Sequence, residues 1–134
     1  MSKGKPFFDT NVIVYAFEEG ARQQQGALDL LAAGGVTSVQ VLNEFASVAR
    51  RKLGFRWPEI EEAVAGICVL LPDPAPLGFQ THVRAVRMAA RFDLSIYDGL
   101  IVAAALESGC GVLYTEDMQH GQRIEGLTIR NPFE

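Results

Sequence analysis

Four acidic residues stand where carboxylates could do chemistry: Asp9, Glu44, Asp98 and Asp117. Asp9 ends the apolar run Phe7-Phe8 and is followed by Thr10-Asn11 and a second apolar run from Val12. Both runs demand burial, so Asp9 lies at the rim of a core, where a carboxylate without a partner is costly. Asp98 falls in Ser95-Ile96-Tyr97-Asp98-Gly99-Leu100-Ile101-Val102, the opening of a helix that is apolar nearly all round and therefore buried. A first-turn carboxylate there projects past the helix N-terminus, where the dipole tolerates negative charge. Glu44 sits at the border of a helix face marked by Val41, Leu42, Phe45, Val48 and Ala49. Asp117 follows the apolar run Val112 to Thr115 by two residues, with Glu116 beside it as an alternative acid. Carboxylate oxygens suit Mg²⁺ or Mn²⁺. Such an ion lowers the pKa of a bound water and offsets charge on a phosphoryl oxygen, so the set fits phosphodiester hydrolysis. Each acid also has an ordinary role open to it: Asp9 and Asp98 as helix caps, Glu44 and Asp117 as solvated surface charges.

These acids need elements to carry them. Lys5 to Asp9 reads as a first strand, and Val12 to Phe17 as a helix, because a continuous strand would carry Asp9 into mid-sheet. Gln23 to Ala33 is a helix stopped by Gly34-Gly35, and Val36-Thr37-Ser38 a short second strand. Ser38 caps a helix from Val39 to about Leu53, ended by Gly54; Trp57-Pro58 opens another that runs to about Ile67. Cys68 to Leu71 reads as a third strand stopped by Pro72, before a rigid loop over Asp73 to Gly78. Helices follow over Gln80 to Phe92 and from Ser95 or Tyr97 to Ser108, then a strand over Val112 to Thr115 and a small one over Leu127 to Ile129. Alternating strands and helices give a mostly parallel sheet covered on both faces, a three-layer α/β/α sandwich forming one domain over residues 1–134. In such sheets ligands gather at the carboxyl ends of the strands, which puts Asp9 and Asp117 on one edge.

A hydrophobic content of 49% with 21% charged residues describes a globular chain and excludes a disordered one. No run approaches the roughly 20 apolar residues of a membrane span. The N-terminal residues carry no signal-peptide pattern, so a cytoplasmic protein is expected. Cys68 and Cys110 have neither a second Cys nor a His at ligand spacing and read as inert thiols. The net charge of −4 does not advertise nucleic-acid binding. Local cations could still supply it. Arg50, Arg51, Lys52 and Arg56 cluster near one helix end, and Arg84, Arg87 and Arg91 recur at helical spacing on another helix. Of these, Arg50, Arg51, Arg84, Arg87 and Arg91 are candidate RNA-phosphate contacts, against the plainer reading of a solvated face. His82 and His120 read as surface residues and Trp57 as a packing residue.

Phe8-Asp9-Thr10-Asn11-Val12, Asn43-Glu44-Phe45, Leu94 through Ala105, Thr115-Glu116-Asp117 with Gly121, and Ile129-Arg130-Asn131-Pro132-Phe133 occur in that order. On these stretches the chain resembles the PIN-domain ribonucleases and, among them, the VapC-like toxins of bacterial toxin–antitoxin pairs. The resemblance implies a three-layer α/β fold and Mg²⁺- or Mn²⁺-dependent endonucleolytic cleavage of RNA. It also implies a homodimer restrained by a VapB-like antitoxin. It makes Asp9, Glu44, Asp98 and Asp117 the catalytic, metal-holding quartet, with Thr10, Asn11 and Thr115 as supporting polar groups. Gly99 stands where the family more often has alanine, a change expected to leave the chemistry unharmed. Two other classes compete: a non-catalytic PIN-like module that binds nucleic acid or protein, and a phosphoryl-transfer or receiver domain. An aspartyl nucleophile of the dehalogenase type wants a second Asp where Asn11 stands, and a receiver wants a lysine late in the chain, whereas the lysines are Lys3, Lys5 and Lys52.

Overall fold

Phe7 and Phe8 are adjacent, so their side chains leave a strand on opposite faces. Both are fully buried, which requires cover on both sides of the sheet they belong to. The computed structural model, which describes residues 4–134, supplies that cover from helices. The elements run β1 (Pro6–Phe8), α1 (Thr10–Phe17), α2 (Gln24–Ala32), α3 (Val39–Arg51), α4 (Trp57–Leu70), α5 (Phe79–Phe92), α6 (Ile96–Glu107), β2 (Val112–Tyr114), β3 (Arg123–Ile124) and β4 (Leu127–Arg130). The sheet order is β1-β2-β4-β3. β1, β2 and β4 are parallel, and β3 is antiparallel to β4. Phe7, Leu113 and Ile129 stand side by side across the three parallel strands, and all are fully buried. The three-layer, mostly parallel α/β architecture expected from the sequence is the one observed.

Two departures alter the sheet. Cys68–Leu71, expected as a strand, is helical to Leu70 and caps α4 at Leu71. The reason is periodicity: Ile60, Ala63, Ile67 and Leu71 are buried at helical intervals, while Val69 is 80% exposed. The chain returns to the sheet one loop later, where Ala75 N donates to Thr37 O and Val39 N to Ala75 O, each at 2.9 Å. Val36-Thr37-Ser38 pairs through isolated bridges, Val36 with Phe7 and Ser38 with Ala75, and not through a full strand. The second departure is β3, which the sequence pattern does not announce. Glu125 (φ 50°) and Gly126 (φ 90°) make the two left-handed residues of a tight hairpin between β3 and β4.

α5 and α6 pack against each other through Ala85, Leu100 and Ala103. Gly99 permits it: a Cβ there would lie 2.6 Å from the carbonyl oxygen of Ala85. Among the described residues no helix is long and apolar enough to cross a membrane.

Candidate metal centre and cleft

Asp9 lies one residue past β1, its N–H continuing the ladder to Tyr114 O at 3.0 Å, and caps α1 with an extended backbone. The expected helix therefore begins at Thr10, earlier than Val12. Asp9 is 2% exposed. Oδ1 accepts from Thr10 N at 2.7 Å and Oδ2 from the Thr115 hydroxyl at 2.8 Å. Burial pushes this carboxyl up to about 7; the hydrogen bonds from Thr115 and Thr10 oppose the rise, and the charges of Asp117 and Glu44 add to it.

Asp98 sits at the third position of α6. Ser95 is the cap, and its hydroxyl accepts from Asp98 N at 3.0 Å. Half-buried, Asp98 is also raised, chiefly by burial and next by the neighbouring charge of Asp117. Asp117, exposed in the loop after β2, completes the group. One carboxylate oxygen from each of Asp9, Asp98 and Asp117 lies within 4.8 Å of the others. Three acids so close repel one another, and a divalent cation answers both the repulsion and the oxygen chemistry. The donor set thus fits Mg²⁺ or Mn²⁺.

Glu44 is not in that trio; it is held beside it. Its Oε1 accepts from the Thr10 hydroxyl at 2.6 Å and its Oε2 from Gln40 Nε2 at 3.0 Å, while its charge reaches Asp9 and Asp98. Thr115 is the hub of the polar support. Its hydroxyl donates to Asp9 and accepts from Asn11 Nδ2 at 3.3 Å and from Asp117 N at 3.0 Å. Asn11 Oδ1 accepts in turn from Glu116 N at 3.2 Å. The Glu116 carboxylate turns the other way and accepts from the Tyr15 hydroxyl at 2.8 Å. Of the two adjacent acids, the structure brings Asp117, and not Glu116, to Asp9 and Asp98.

A cleft of about 570 Å³ opens beside these acids, between α1 and α3. Val14, Tyr15 and Glu18 line its α1 wall; Glu44, Ser47, Val48, Arg51 and the following Lys52 line the other. The candidate arginines do not converge on it. Arg51 is in the cleft, but Arg50 donates to Phe55 O at 3.2 Å and lies over the Trp57 ring. Trp57, expected to pack inside, is 57% exposed, its ring covered by that guanidinium. Arg84 and Arg91 pair with Glu125 of the β3–β4 turn at 3.5 and 3.3 Å, and Arg87 is exposed on the same helix. Gln40 and Tyr15 join the site without having been expected from sequence; they lie one helical turn from Glu44 and Asn11, so the helical period marks both.

A sequence profile of the PIN domain matches residues 7–123. No curated protein matches the sequence significantly. Among solved structures, the chain superposes on a toxin–antitoxin complex from Klebsiella pneumoniae with a TM-score of 0.72 at 19% identity, covering 96% of this chain and 98% of that one. It superposes on DNA-bound VapBC from Salmonella typhimurium with a TM-score of 0.68 at 20% identity, covering 95% and 97%. A third match is VapC20 from Mycobacterium tuberculosis, a toxin that cleaves the sarcin–ricin loop, with a TM-score of 0.66 at 21% identity and coverage of 84% and 89%. At these identities the likeness is one of fold.

Proposed function

Because this chain belongs to the PIN-domain family, we propose that it is a metal-dependent endoribonuclease and the toxin of a VapBC-like pair. The observation that carries the reading is the approach of Asp9, Asp98 and Asp117 to within 4.8 Å. Those three carboxylates would hold Mg²⁺ or Mn²⁺, with Glu44 completing the anionic rim. When bound, the ion supplies acidification of water and neutralisation of phosphoryl charge. The chain's own part is positional. Thr115 orients Asp9, and Thr10 and Gln40 fix the two oxygens of Glu44. The cleft admits an RNA strand to their edge. A VapB-like antitoxin is the partner and the active form a cytoplasmic homodimer. The near full-length likeness to a toxin–antitoxin complex and to VapBC supports the antitoxin.

Asp98→Asn tests the assignment. Asparagine is nearly isosteric but is a poorer ligand for a hard cation. Cleavage of total RNA in Mn²⁺ should fall at least about 100-fold, as when a group that supports a metal site is removed, while the melting temperature in chelator stays level or rises, as like charge is relieved. Full activity in the variant, or cleavage by the wild type that persists in chelator, would sink the reading.

A further inference from the structure

The cleft is anionic where the acids converge, and the chain as a whole carries −4. An RNA strand approaching it meets repulsion unless cations are placed inside. Among the cleft-lining residues the cations are Arg51 and Lys52. Both are exposed, and among the described residues neither side chain has a hydrogen-bond or ion-pair partner, unlike Arg50, Arg84 and Arg91. Their placement follows from α3: Glu44, Ser47, Val48 and Arg51 share one stripe of the helix, which runs from the acids down the cleft. Seven residues of helix separate the Arg51 backbone from that of Glu44 by about 10 Å along the axis. Arg51 and Lys52 thus stand at the end of the stripe away from the acids, where the phosphate of a neighbouring nucleotide would pass.

We infer that Arg51 and Lys52 form a cationic wall that grips single-stranded RNA away from the scissile phosphate and sets its path along α3. The inference rests on the ribonuclease reading for its ligand and adds where and how the strand is held. The helix dipole also favours cations at this C-terminus. A dipole role, however, predicts a small loss of stability and no change in the salt dependence of RNA binding.

The experiment is binding of a fluorescein-labelled single-stranded oligoribonucleotide, followed by anisotropy over a range of KCl concentrations in Mg²⁺. All proteins carry Asp98→Asn so that the probe survives. Arg51→Ala/Lys52→Ala should weaken binding at low salt about 10-fold or more. It should also reduce the log–log salt slope by about 1.4, or about 0.7 for each single-strand phosphate no longer neutralised. Arg87→Ala/Arg91→Ala, which removes the same charge outside the cleft, should leave both quantities near those of the parent. Equal losses in the two pairs, or an unchanged slope in the cleft pair, overturn the inference. So does a cleft pair that binds the probe as the parent does at low salt, since the wall would then carry no part of the strand. Wild-type protein that degrades no RNA would defeat the ribonuclease reading by itself, while a selective slope loss would still locate the strand.

Discussion

A hydroxyl has one proton to give and two lone pairs to fill, and Thr115 uses all three on Asp9, Asn11 and Asp117. Thr115→Val keeps the shape and removes every one of these bonds, leaving the buried Asp9 oxygen unpaired. It should cost about 1–3 kcal/mol in chemical denaturation and lower RNA cleavage well beyond what that loss explains, with Thr115→Ser restoring most of both. Asp9 makes a second prediction. Its folded-state carboxyl titrates near 7 against an ordinary value of 3.8, so the folded chain holds the proton more tightly than the unfolded one. The associated stability is complete below pH 3.8, declines as pH rises and is gone above about 7. Melting curves in chelator should therefore show falling stability from pH 5 to pH 8, by an amount on the order of a few kcal/mol. Asp9→Asn should flatten that slope. Asp9, Asp98 and Asp117 were legible from sequence as neighbours in space because each stands near an apolar run that the fold buries. Which of Glu116 and Asp117 joins Asp9 was not. That depends on Tyr15, 101 residues from Glu116, and no local pattern records such a pairing.

Among the elements, α6 carries Asp98 and is seated by its contact with α5. Gly99→Ala sets two effects against each other. Alanine favours a helix by about 1 kcal/mol over glycine, but its Cβ would lie 2.6 Å from the backbone oxygen of Ala85. A carbonyl on a packed helix cannot swing aside as a side-chain tip can, so the clash wins. The variant should lose about 1–3 kcal/mol, measured by urea unfolding, and cleavage should drop as Asp98 shifts with its helix. Alanine at this position is thus not neutral here, whatever its frequency in related chains. Most elements were readable from caps and stops, such as Ser38 before α3 and Ser95 before α6. Cys68–Leu71 misleads because its apolar composition suggests a strand, whereas its spacing continues that of Ile60, Ala63 and Ile67. β3 was hidden because Arg123–Ile124 is too short to show alternation, and the Glu125-Gly126 turn was its only mark.

At the scale of the whole molecule, repulsion among the acids is a source of instability that a bound cation would relieve. Mn²⁺ at 100 times its dissociation constant should add about 2.7 kcal/mol, raising the melting temperature by about 5 °C or more. The gain should shrink in Asp98→Asn and weaken as pH falls toward 5, where protons compete for Asp9. Scanning calorimetry with and without chelator measures each case; an unchanged melting temperature in the wild type would count against a preformed site. The way Thr115 is held has a consequence for timing. Its N–H donates to Arg130 O at 3.0 Å, so the hub that aims Asp9 is itself anchored to the last strand of the sheet. Asp9 and Thr115 lie far apart along the chain, and their setting is finished only when β4 has paired with β2. A chain that has not yet placed that strand carries the acids without their arrangement, so the acidic site matures last, with the closing of the sheet at Arg130.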